Sequence, residues 1–236
     1  MNSNTRTIVI SVVGVLAAIG LMVGVGIGLA RRAGVEDGAR TPSVSTVQIS
    51  PVADLTDFTA VSTAGGWTVE ISHGEGFSVD VSASDKARDQ VSVFTRGNTL
   101  FLELDSGVQS VTGNLKASVV LPDLRRLQTA GGANVVISGF ELDTLDIEVD
   151  GAATITGRDG SINQLTIQSE GASNFSFDDI EVRNADIQLD GASNLDITMS
   201  GGVLTGALRG LGNVTFRGEV SQESIRIDGL GRVRRQ

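Results

Sequence analysis

The sequence predicts an all-β fold, a single-stranded β-solenoid with coils of about 20 residues, preceded by one N-terminal transmembrane helix. Three observations predict it. Glycines recur at nearly even intervals through the C-terminal half, apolar and polar residues alternate between those glycines, and the run from Thr7 to Ala30 carries no charge. One phrase is also written nearly twice, as TAGGWTVEIS from Thr63 to Ser72 and as TAGGANVVIS from Thr129 to Ser138. Two rungs of a single stack would explain that repetition.

The uncharged run comes first in the chain. It is long enough to cross a bilayer as a helix, and Arg6 and Arg31-Arg32 bound it. Residues 1–32 are therefore expected to be an uncleaved membrane anchor, with a removed signal peptide as the alternative, since Gly28 and Ala30 are small enough to precede a cleavage site. Gly20, Gly24 and Gly28 recur at every fourth position, a spacing that lets two membrane helices approach closely. Counting Arg31, Arg32 and Arg40 after the span against Arg6 before it argues for a cytoplasmic domain. A long C-terminal domain is translocated largely regardless of that bias, and export is the expectation. Residues 33–43 (AGVEDGARTPS) read as a short flexible tether, and residues 44–236 as one domain.

The first part of the domain, residues 44–128, is strand-rich but irregular. Alternating runs at Thr59–Ser62, Trp67–Ser72, Phe77–Ala83, Val91–Thr95, Leu100–Leu104 and Ala117–Leu121 are separated by turn signals such as HGEG, RGN and DSG. Pro122, in LPDLRRL, marks the joint to the regular part, residues 129–236. There the turns begin at Gly131, Gly151, Gly171, Gly191, Gly210 and Gly229. Val135 and Ile137, Ile155, Phe175 and Phe177, Leu195 and Ile197, and Val214 and Phe216 follow the successive turns on one face. A second alternating run precedes each next turn, so that every unit holds two strands. Such a unit cannot bury its apolar face alone, and stacking places equivalent residues one above another at about 4.8 Å. The glycine column then supplies a corner needing positive φ in every coil. Asn134, Asn174, Asn194 and Asn213, interrupted by Thr154, form a second column whose amides can bond upward as a ladder.

Composition narrows the chemistry. The chain lacks cysteine and has a single histidine, His73, which excludes disulfides, thiolate nucleophiles and multi-histidine metal centres. Beyond Arg32 there are 15 Lys+Arg (18 less Arg6, Arg31 and Arg32) against 28 Asp+Glu, a formal charge of −13. So acidic a domain is a poor match for nucleic acid, and no Gly-rich phosphate loop opens a helix. No cofactor is expected.

With these elements in place, the sequence resembles a family of bacterial envelope domains, the putative auto-transporter adhesin head GIN domain. The resemblance spans roughly Phe58 to Arg232. It rests on an opening F-x-x-V-x-x-x-G-G-x-x-V-x-I-x-x-G (Phe58, Val61, Gly65, Gly66, Val69, Ile71, Gly74), a central V-x-L-P-x-L-x-x-L from Val119 to Leu127, and the later small-residue and Asn turns. It implies a right-handed parallel β-helix-like solenoid behind an export segment, adhesion as the role, and no catalytic residues. An autotransporter also needs a C-terminal outer-membrane barrel, for which the sequence up to Gln236 leaves no room.

The expected function is a non-catalytic envelope module, anchored in the membrane with its soluble domain exported to the periplasm or cell surface, that binds a protein or glycan partner. Open strand edges add self-association. Two alternatives stay open. Asp150, Glu170 and Asp190 each precede a turn glycine and form an acidic column, followed in register by Arg209 and Asp228. Carboxylates about 5 Å apart could hold a hard cation or serve a polysaccharide-active enzyme, although solvated corner residues are the favoured account of them. Turnover of acidic glycans lost in Asp190→Asn would mark the enzyme. The other alternative is an envelope scaffold or signalling module with a protein partner. His73 reads as an exposed turn residue, and Trp67 as core filling or an exterior stacking platform for sugar.

Overall fold

Residues 46–49, 55–84, 87–104 and 115–236 are described in a computed structural model. In chain order the strands are β1 (Thr46–Ile49), β2 (Ala60–His73), β3 (Ser78–Ser84), β4 (Val91–Arg96), β5 (Thr99–Leu104), β6 (Leu115–Leu121), β7 (Arg126–Ser138), β8 (Glu141–Ser200), β9 (Val203–Glu219) and β10 (Gln222–Arg235), with one short 3-10 turn at Arg88–Gln90. They form a ten-stranded sheet in the order β1-β3-β6-β2-β7-β8-β9-β10, with β5 also on β2 and β4 on β5.

The two copies of the repeated phrase lie side by side. β2 pairs with β7 in parallel, with Thr63 opposite Thr129, Gly65 opposite Gly131 and Ser72 opposite Ser138. From there the period of the sequence becomes the period of the sheet. Gly131 of β7 stands opposite Gly151 of β8, Gly191 of β8 opposite Gly210 of β9, and Gly210 opposite Gly229 of β10. At about 3.3 Å per residue a straight β8 would be far longer than any strand of a domain, so it folds back on itself at its glycines. Asn194 meets Asn174, and Thr198 donates to the Asp178 carbonyl, each one rung back along the chain. The two strands expected in each unit run on as one, because the glycine corners keep their place in the ladder.

The expected architecture needs correction. A right-handed parallel β-helix-like solenoid running the whole domain is not what the strands form: the sheet is mixed, with β1–β3, β3–β6 and β4–β5 antiparallel. The cause is local turn chemistry. Where the regular glycine period is missing, short turns reverse the chain, and Gly97 between β4 and β5 has φ 63° at the position that a two-residue II′ hairpin reserves for glycine. The transmembrane helix (1–32) and the tether (33–43) fall outside the described residues. Among the described residues no helix is long and apolar enough to cross a membrane.

A single apolar core threads the rungs. Val69, Val135, Ile155, Phe175, Leu195 and Val214 are each at most 2% exposed, as are Ile71, Ile137, Phe177 and Ile197. Burial of each such side chain contributes about 1.5–3 kcal/mol. Column positions compensate one another in size: Gly157 stands in register with Ile137, and a Cβ added there would meet the Phe177 ring at 2.6 Å. A few hydroxyls share this interior. Ser169 and Ser173 bond each other at 2.7 Å, whereas Thr63, Thr129 and Ser193 bury hydroxyls that have no partner among the described residues.

Candidate functional site

The exterior columns are what the stack presents to a partner, and the glycine corner positions them. Gly131, Gly151, Gly171, Gly191, Gly210 and Gly229 all have positive φ, between 100° and 145°. A Cβ on Gly151 would lie 2.5 Å from the Gly131 carbonyl oxygen, so the corners stack backbone on backbone. The next residue points outward and is small in five rungs: Gly66, Gly132, Ala152, Ala172 and Ala192 line an open groove of about 550 Å³.

Beside that groove runs the asparagine column, and only part of it is a ladder. Asn213 Nδ2 donates to Asn194 Oδ1 at 3.1 Å, and Asn194 Nδ2 donates to Asn174 Oδ1 at 3.2 Å. Asn134 stands apart, opposite Thr154 on one side and Thr68 on the other. A threonine hydroxyl is too short to continue the amide chain.

The acidic column is likewise divided. Asp190 is tied to Arg209, which faces it in register and approaches both carboxylate oxygens at 3.2 and 3.3 Å. Asp150 and Glu170 instead share a second groove, of about 420 Å³, with Glu148, whose carboxylate accepts a 2.6 Å bond from Gln128. Among the described residues no group of three acidic or histidine side chains converges closely enough to hold a metal ion. Further along the stack the Ser176 hydroxyl, donating at 2.6 Å, and Arg217 hold the Asp178 carboxyl below its usual range.

Aromatic residues divide between core and surface. Trp67 is 2% exposed, and its indole N–H donates to the Ala64 carbonyl at 3.1 Å, which makes it core filling. His73 ends β2 in the open, edge-on to Phe140. Phe94 and Phe101, both half-exposed, stack 5.2 Å apart on the β4–β5 hairpin with the Arg96 guanidinium over both. Their cross-strand register follows from RGN between two alternating runs, the signal that could have found them. The glycine register aligns the exterior arginines of the last rung, Arg232 and Arg234, with Asn213 and Thr215.

Comparison with protein families places this geometry. The family model described as the putative auto-transporter adhesin, head GIN domain, matches residues 57–220. The chain belongs to this family. Solved structures similar to this head GIN chain include a putative adhesin from Bacteroides fragilis, 15% identical, which matches with a TM-score of 0.61 over 83% of this chain and 99% of its own. A putative lipid binding protein from Parabacteroides distasonis is 13% identical with a TM-score of 0.47 over 80% of this chain and 95% of its own. For a putative adhesin from Parabacteroides merdae the values are 14%, 0.46, 81% and 95%. The first of these likenesses shows a shared fold. No curated protein matches the chain.

Proposed function

We propose that the chain is a non-catalytic, adhesin-like module of the cell envelope that binds a partner through the exterior columns of its stacked rungs. The observation that carries this reading is the head GIN match over residues 57–220, a region that contains every rung but the last. The form of the surface supports it: flat, parallel rows of small and polar side chains suit an extended partner better than a small substrate, which calls for an enclosed site. The acidic column fits the same reading, since Arg209 neutralises Asp190 at its end.

Location and attachment test it together. A protease that cannot cross the envelope is expected to degrade the domain on intact native cells. Cells lacking the chain are expected to attach less to a mixed glycan and protein matrix than the parent, and to recover when the chain is re-expressed. Equal attachment with and without the chain would remove the reading.

A further inference from the structure

Where the asparagine ladder meets the last rung, it opens into a polar pocket of about 580 Å³ lined by Asn194, Asn213, Thr215, Asp196, Arg232 and Arg234. The alternation of β10 sends Arg232 and Arg234 to the same exterior face, in register with Asn213 and Thr215. Other arginines at this end are engaged: Arg209 with Asp190, Arg217 with Asp178 and Arg226 with Asp228. Among the described residues Arg232 and Arg234 have no such carboxylate partner. Asp196 is the one acidic side chain of the pocket, which leaves a local excess of one positive charge on a chain whose formal charge is −10.

From this arrangement we infer that the pocket binds an acidic polysaccharide by its carboxylates, with the asparagine ladder receiving the sugar hydroxyls. This rests on the adhesin-like reading above and names its ligand class. Guanidinium groups match carboxylates in a bidentate fork. Amide side chains both donate and accept, as vicinal hydroxyls do, and Asn194 and Asn213 each donate toward the preceding rung, leaving Asn213 Oδ1 without a ladder partner beside the arginines. Rungs succeed one another at about 4.8 Å, close to the advance per ring of an extended polysaccharide, whereas a peptide strand rises about 3.3 Å per residue and falls out of step. Elsewhere the acidic surface repels a polyanion, so the ligand is admitted at this end of the stack.

Calorimetric titration of the full chain with polygalacturonate, hyaluronate, neutral dextran and poly-glutamate tests the assignment. Both acidic polysaccharides are expected to bind, with affinity falling as salt rises, and dextran is not. Arg232→Gln combined with Arg234→Gln is expected to weaken binding at least about ten-fold, the loss of one or two charge-assisted bonds. Asn213→Ala is expected to weaken it less, and Arg125→Gln, on an arginine already paired with Asp123 far from the pocket, to leave it unchanged. Far-UV circular dichroism checks that each variant keeps the parent's fold, and Asn213→Ala, which leaves β10 intact, stands in if the double variant does not. Undiminished binding by folded pocket variants, no binding of either acidic polysaccharide, or tighter binding of poly-glutamate would each overturn the inference. None of these results touches the attachment of native cells, so the adhesin-like reading fails only if that assay fails.

Discussion

At the scale of single residues, two neighbouring glycine positions make opposite demands. Gly171 combines a φ of 124° with a backbone oxygen from Gly151 where a Cβ would go. Gly132 has open space there and faces Ala152 in register. Gly171→Ala is therefore expected to cost at least about 2 kcal/mol, and Gly132→Ala to be neutral or to stabilise by up to about 1 kcal/mol, both read from urea unfolding. Thr129 offers a test of opposite sign. Its hydroxyl is buried without a partner among the described residues, and the next rung carries Val149 at the same place. Thr129→Val is expected to raise the unfolding midpoint, by about 1–2 kcal/mol in stability; a lower midpoint would mean the hydroxyl is satisfied by water. The glycine column was legible in sequence because positive φ leaves a compositional mark, whereas a threonine on an inward-facing position leaves no mark of its missing partner.

Elements obey the register between rungs. Asn194 sits in the middle of a three-member ladder and loses two bonds when truncated, while Asn134 makes no side-chain bond among the described residues. Asn194→Ala is expected to destabilise by about 1 kcal/mol and Asn134→Ala by less than about 0.3 kcal/mol, measured by thermal unfolding. Equal losses would show that the column stabilises through corner geometry and not through its amides. Between β7 and the next rungs, Gly157 leaves the space that Phe177 and Ile180 fill. Gly157→Val, although it matches the β-branched residues elsewhere in the column, is expected to cost about 1–3 kcal/mol by overpacking. Strand positions were readable from alternation, and β2 to β6 fall within a short distance of the runs that alternate. Their direction was not, because alternation is the same in parallel and antiparallel strands. Only the RGN turn and its Gly97 pointed to the β4–β5 reversal.

For the whole molecule, charge decides how copies behave toward one another. A formal charge of −10 keeps copies apart at neutral pH, and the repulsion fades toward the isoelectric point near 4.5. Turbidity at fixed concentration is expected to peak near that pH, where β10, with Leu230 81% exposed, meets its own kind with least opposition. A flat profile from neutral pH down through the isoelectric point would show the edge to be protected by something other than charge. By itself the sequence determined which residues face inward, where the corners lie and that TAGGWTVEIS and TAGGANVVIS are neighbours, because periodicity and the steric freedom of glycine are written locally. Tertiary structure alone decided that the sheet is mixed, which of the two readings of Trp67 holds, and that Arg232 and Arg234 open beside the asparagine ladder. Those facts depend on which side chains meet across rungs that are distant in the chain, and distances across the stack are set by packing, which no single stretch of chain contains.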